Sequence, residues 1–212
     1  MERGKFITFE GGEGCGKSTQ VKRFAALLEA RGIKVLLTRE PGGTRLAELI
    51  RGLLKDEADD PPTDRAELLL FLAARAQLVK NTIRPALDEG TWVVSDRFSD
   101  STIAYQGYGR GLPLDFVCAA NNFACEGLKP DLTFLLDLDP AVARVRMRQR
   151  EEATNTVADR IERAGEEFHA RLRGGFLTLA ATDVPRFAVI DASASPDEVF
   201  SSVLSAASRL FH

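Results

Sequence analysis

Gly11-Gly12-Glu13-Gly14-Cys15-Gly16-Lys17-Ser18 lies between an apolar run, Lys5–Glu10 (KFITFE), and a helical stretch, Ser18–Arg31. The octapeptide fits G-x-x-x-x-G-K-[ST] in the strand–loop–helix setting that phosphate binding requires. Glycines let backbone N–H groups curl around anionic oxygens at a helix N-terminus. Gly11, Gly12, Glu13, Gly14, Cys15, Gly16, Lys17, Ser18 and the following Thr19 are therefore expected to cradle the phosphates of ATP or GTP. In such a loop the lysine, here Lys17, reaches the β- and γ-phosphates, and the hydroxyl, here Ser18, is placed to ligate Mg²⁺.

Working outward, four further apolar runs read as strands: Lys34–Thr38, Trp92–Ser95, Leu132–Leu138 and Arg186–Ile190. Helical patterns separate them at Thr44 to about Lys55, Asp64 to about Glu89, Leu114–Glu126, Pro140–Arg150, Asp159–Ala181 and Pro196–Arg209. Apolar strands alternating with amphipathic helices argue for βαβ units. The expected fold is α/β: a P-loop NTPase-type three-layer arrangement with a central five-stranded parallel sheet flanked by helices. At 212 residues the chain reads as one domain, 1–212. The polar stretch Arg150–Ala158 (REEATNTVA) reads as a mobile loop, within a lid at about 144–158.

Composition narrows the partners. The 28 basic residues face 31 acidic ones, net −3, which argues against a sequence-independent nucleic-acid footprint. Of the 28, 21 are Arg and seven are Lys, a skew suited to bidentate capture of phosphate or carboxylate and equally consistent with genome composition. Three cysteines without a CxxC and two histidines argue against a zinc site or disulfide scaffold and favour a reducing, cytoplasmic setting. MERGKFITFEGGEG reaches glycines before an apolar signal region forms. No apolar run approaches the roughly 20 residues that span a bilayer.

A phosphate loop leaves the chemistry open between phosphoryl transfer to a small acceptor and a hydrolytic GTP switch. The switch usually carries N-K-x-D, and nowhere here does Lys follow Asn. Three segments suit an acceptor. Thr38-Arg39-Glu40-Pro41-Gly42-Gly43-Thr44 turns from a strand end into a helix, where ligands of open α/β sheets sit. Asp96 and Arg97 follow the strand Trp92–Ser95; an Asp there suits Mg²⁺ and an Arg suits phosphate, with Asp137 as a competing metal ligand. Phe71 and Arg75, four residues apart, share a helix face and could stack on a base and bond its edge, or could simply be core and surface. Arg144, Arg146, Arg148 and Arg150 alternate along a helix, so at most one or two can reach a transferring phosphoryl group.

Together these segments resemble the bacterial thymidylate kinases. The resemblance covers nearly the whole chain through FEGGEGCGKST, TREPGGT with LAELIR, FLAAR, DRF followed by AYQG, EGLKPDLTFLLDLDP and DRIE. It implies Mg²⁺-dependent transfer of the γ-phosphoryl group of ATP to dTMP, giving dTDP for dTTP biosynthesis; another nucleotide or deoxynucleoside kinase is the alternative. By the same resemblance Phe71 stacks on thymine, Arg75 contacts its edge, and Thr102 and Gln106 lie beside it. Tyr105 packs on the deoxyribose and Glu13 approaches the 3′-hydroxyl. Arg39 and Arg97 bind the acceptor phosphate and Asp96 lies near the metal. The resemblance further implies a homodimer and a lid arginine, Arg148 or Arg150. Phe98 departs from the pattern, standing where the family usually has Tyr, His or Trp.

Overall fold

A computed structural model describes residues 2–55, 60–154 and 164–211. Five parallel strands form one sheet: β1 (Phe6–Glu10), β2 (Val35–Arg39), β3 (Trp92–Asp96), β4 (Leu132–Asp137) and β5 (Phe187–Asp191), in the order β2-β3-β1-β4-β5. β1 is central and wholly buried, because both of its faces are covered by helices. Ile7 and Phe9 point to α1 (Lys17–Ala30) and to the C-terminal helix Pro196–Ala207, where Phe9, Phe24 and Phe134 form a ring cluster. Phe6 points to the other face, against Leu78, Ile83 and Leu87.

The chain leaves β1 toward the β2 edge, whereas β3, its neighbour, leads to β4 on the opposite side. A crevice therefore opens beyond the C-terminal ends of β1 and β3, the place where such sheets bind ligands. The register Phe9↔Asp96 brings Asp96 to its floor.

After β2 come α2 (Arg45–Lys55) and α3 (Asp64–Leu78). The single helix expected from Asp64 to Glu89 is divided: a wide π-helical turn, Val79–Ile83, separates α3 from α4 (Arg84–Asp88). Pro85 explains the break, since its ring displaces the carbonyl four residues back and it offers no N–H. The stretch after Asp96 forms a short helix α5 (Ser99–Thr102) continued by a second π-helical turn, Ile103–Gly109. α6 (Leu114–Cys125) packs on α3, which also packs on α2.

α7 (Pro140–Thr154) corrects the expected loop boundary: Arg150 to Thr154 are helical, and residues 155–158 of the proposed lid lie outside the described residues. The helix expected from Asp159 is observed as α8 (Glu166–Thr182), with residues 159–163 outside the description. α9 (Pro196–Ala207) begins with a full capping box between Ser195 and Glu198.

Candidate active site

The loop from Gly11 to Gly16 enters α1 through Gly16, whose φ is 88° and which makes no side-chain cap bond. The first amides of α1 are thus left facing the crevice. Glycine is required at two points for a stated reason: at Gly11 (φ 137°) an added Cβ would lie 2.5 Å from the Leu136 carbonyl oxygen, and at Gly14 (φ 70°) 2.7 Å from that of Ala143. Lys17 arches over the loop and donates to the carbonyls of Gly11 (3.1 Å) and Gly12 (2.6 Å). The buried Cys15 thiol donates to Gly12 O (3.0 Å), a bond internal to the loop.

Ser18 and Asp96 meet directly, Oγ donating to Oδ2 at 2.7 Å. The rival carboxylate, Asp137, is held by Arg173 through two bonds of 2.8 and 2.9 Å. A hydroxyl beside a carboxylate is a hard oxygen-donor pair that fits Mg²⁺, which takes few protein ligands and completes its shell with phosphate and water.

Arg97 is held in the crevice by its backbone as well as by its side chain. Its backbone is left-handed (φ 72°), a conformation seldom adopted by residues with a side chain. Three bonds hold it: Arg97 N to Phe9 O (3.0 Å), Ser95 Oγ to Arg97 O (2.7 Å), and the Phe98 amide to Glu10 (2.8 Å). The guanidinium donates to Gly11 O (3.0 Å), Ser101 Oγ (3.1 Å), the Tyr105 hydroxyl (2.9 Å) and the Glu13 carboxylate. Tyr105 in turn donates to Glu13 (2.9 Å).

The two glutamates beside Arg97 titrate in opposite directions. Burial would raise the Glu13 carboxyl, but Arg97, Lys17, the Tyr105 hydroxyl and Arg150 outweigh it and lower it to about 2. Glu10 is fully buried, and burial together with the Asp100 carboxylate pushes it up to about 8.

Farther along, a cleft of about 510 Å³ joins the phosphate loop to the inner face of α3. Phe71 is half-buried on its wall, and Arg75, at 1% exposure, lies one turn on. All five Arg75 N–H groups are engaged: with the Glu40 carboxylate, Thr102 Oγ1 (2.8 Å), Asn121 Oδ1 (2.7 Å) and Phe98 O (3.1 Å). A base oxygen at this wall would share one of these donors. Tyr105 and Gln106, consecutive on the π-helical turn, both line the cleft. Arg39 stands at the rim, half exposed and paired with Glu48 (2.9 and 3.0 Å).

The structure divides the arginines of α7. Arg150 lines this cleft. Arg148 lines a second cavity of about 400 Å³ that includes Gly11, Gly12 and Glu13 of the phosphate loop together with Asp137 and Arg173. Arg144 is paired with Glu166. Arg146 donates to Ala192 O (2.7 Å) and Ser193 O (2.9 Å), bordering a groove on the other flank of the phosphate loop that Thr19 also lines.

Sequence reasoning missed Glu10, Glu40, Glu67 and Asn121. A carboxylate inside an otherwise apolar strand was a signal for Glu10, because a buried charge needs partners. Asn121, within LDFVCAANNFAC, carries no such signal.

A sequence model of the family described as "Thymidylate kinase" matches residues 9–203. A thymidylate kinase of Oleidesulfovibrio alaskensis is 49% identical over 208 residues, 97% of this chain and 98% of that protein. One of Nitratidesulfovibrio vulgaris (strain Miyazaki F) is 50% identical over 203 residues, 95% of this chain and 94% of that one. Among solved structures, a thymidylate kinase crystal structure from Ehrlichia chaffeensis superposes with a TM-score of 0.76 at 35% identity, covering 96% of this chain and 98% of that one.

Proposed function

The chain belongs to the thymidylate kinase family, and from that premise we propose that it transfers the γ-phosphoryl group of ATP, with Mg²⁺, to dTMP, giving dTDP and ADP. The observation that carries the reading is the continuity of one cleft from Lys17 and the Ser18–Asp96 pair, past Arg97, to Phe71 and Gln106. It offers a phosphate cradle, a metal pair, a fixed guanidinium and an aromatic wall in that order.

A phosphate oxygen of dTMP attacks the γ-phosphorus while the bond to the β-phosphate oxygen breaks, and ADP leaves. The nucleophile is already anionic, so no general base is needed. With a loose transition state, the protein contributes mainly position and compensating charge. Lys17 and the amides of α1 hold the donor phosphates. Arg97 holds the acceptor phosphate, with Arg39 at the rim able to exchange its Glu48 partner for it. Ser18 and Asp96 would hold Mg²⁺, which would supply neutralisation of phosphate charge. Tyr105 and Glu13 lie at the height of the sugar, and Phe71 carries the base. The groove between the phosphate loop and residues Ala192–Pro196 suits the donor nucleoside. Arg150, on the helix that opens the lid at 144–158 of a single kinase domain, supplies the charge that the loop positions Gly12 to Cys15 lack.

A homodimer is supported by apolar side chains on three neighbouring helices: Leu46, Leu49 and Leu53 of α2, Leu69 of α3, and Phe116 and Phe123 of α6, the last 85% exposed. Exposed apolar side chains on helices that pack side by side suit an association surface, and a second copy is the partner proposed. Among the described residues no helix is long and apolar enough to cross a membrane; a cytoplasmic enzyme is proposed on the residue chemistry given above.

The test couples ADP release to a panel of acceptors. Turnover with dTMP should exceed that with CMP, AMP and free thymidine by about 100-fold or more. Faster turnover of any of those, or acceptor-independent GTP hydrolysis, overturns the reading.

A further inference from the structure

Glu67 is 1% exposed on α3, and nothing in the phosphoryl-transfer scheme uses it. Its Oε1 accepts from Gln106 Nε2 (2.9 Å) and from Arg110 Nε (3.3 Å), and its Oε2 accepts from Arg110 Nη2 (3.1 Å). A carboxylate can only accept hydrogen bonds. Only the NH₂ end of the Gln106 amide can therefore face it, and the two ends of that amide are not interchangeable. With its nitrogen committed to Glu67, Gln106 has its carbonyl oxygen left as the acceptor available to the cleft it lines.

We propose that Glu67 is a specificity-positioning residue: by fixing the Gln106 amide, it makes the cleft an acceptor for a pyrimidine ring N–H. Arg110, which also pairs with Asp64 (3.4 Å), compensates the buried carboxylate and keeps it seated. The inference rests on the dTMP reading, since it names the base feature that the same site selects. Thymine and uracil carry a hydrogen on N3; cytosine has a lone pair there.

The neighbouring polar atom completes the pattern. Thr102 Oγ1 already accepts from Arg75 Nη1 (2.8 Å), which leaves its own O–H to donate. An acceptor at Gln106 beside a donor at Thr102 matches N3–H beside O4 of thymine. Cytosine reverses both, setting acceptor against acceptor and amino group against donor. Buried polar groups left unpaired are what give hydrogen-bonding sites their high discrimination.

Two measurements test this. The first compares dTMP with its N3-methyl analogue, which keeps both carbonyl oxygens but has no N3–H to donate, on the wild-type enzyme. A kcat/KM lower by about 100-fold is expected for the analogue. Use of both within about threefold overturns the inference. Absence of dTMP turnover would instead overturn the dTMP reading itself. The second is Glu67→Gln, whose side chain can accept or donate and so frees Gln106 to flip. The dTMP:dCMP ratio of kcat/KM should fall by about tenfold or more, mainly through KM, whereas a merely structural change lowers both substrates together. A folded variant with the wild-type ratio sinks the proposal, and if Glu67→Gln does not fold, the analogue comparison decides alone.

Discussion

The arginines of the cleft wall and those of α7 have the same chemistry and opposite settings. Arg75 is 1% exposed with every N–H engaged, and Arg97 bonds to Gly11, Glu13, Ser101 and Tyr105 from a left-handed backbone. On α7, Arg144 is 41% exposed against a Glu166 that is 74% exposed, and Arg146 is tied only to two carbonyls. Buried pairs carry a desolvation penalty that only complete hydrogen bonding offsets, so the wall cannot shift without cost. Exposed pairs contribute at most about 1 kcal/mol, so α7 can rearrange at little expense. In the proposed reaction the acceptor would be met by charge that is already oriented, which needs no reorganisation during transfer, while the charge proposed to join over the phosphoryl group would come from α7.

The largest effect that would break this contrast is on stability. Arg75→Leu strands Glu40, already raised by its burial even with Arg75 beside it, without its cation. The expected loss is about 3–5 kcal/mol, or a Tm lower by roughly 6–20 °C for a chain of this length. A thermal melt within about 2 °C of wild type would mean that the wall is no more rigid than α7.

The next effect sharpens the other side. Arg150→Ala should lower kcat by about 100-fold, equivalent to about 2.7 kcal/mol of barrier, with Tm unchanged within about 2 °C. Arg148→Ala, at the other cavity, should stay within about threefold of wild-type kcat. Steady-state kinetics at saturating ATP and dTMP separate the two. The reverse ranking would assign the lid cation to Arg148.

Much of this arrangement was legible in the sequence. The five strands lie within one residue of their expected bounds, because apolar runs between glycine-bearing turns leave few alternatives. Motif and strand-end position brought Lys17, Ser18 and Asp96 to the crevice that they line. What stayed hidden depends on partners distant in the chain. Arg75 could be read as surface because its partners Glu40, Thr102 and Asn121 lie 35, 27 and 46 residues away. The π-helical turn at Ile103–Gly109 was missed because IAYQGYG lacks helical periodicity and holds two glycines. That Arg148 and Arg150 line different cavities follows from the helix phase of α7, which a polar, weakly patterned segment does not reveal.

The smallest effect, read per pH unit, concerns Glu10, which holds Arg97 through the Phe98 amide and Ser101 Oγ (2.5 Å). Asp100 faces it but is paired with Arg186 (2.6 and 3.0 Å), and Arg97 faces it from the same turn. Because the folded state raises this carboxyl from 4.5 to about 8, folding retains a proton that the unfolded chain releases. Its stabilising contribution is complete below pH 4.5 and is lost as pH rises toward 8, with a slope of up to about 1.4 kcal/mol per pH unit. Glu13, lowered to about 2, acts oppositely: its contribution is present above 4.5 and lost as pH falls toward 2. The Glu10 and Glu13 windows do not overlap, but the buried Glu40 carboxyl is raised as well, so the Glu10 share of the urea midpoints between pH 5 and 8 is the difference between wild type and Glu10→Gln. Wild type should lose stability across that range, whereas Glu10→Gln, which cannot ionise, should be flatter. Parallel profiles for the two proteins would show that Glu10 does not carry the proton and that the wall around Arg97 is set by hydrogen bonding alone.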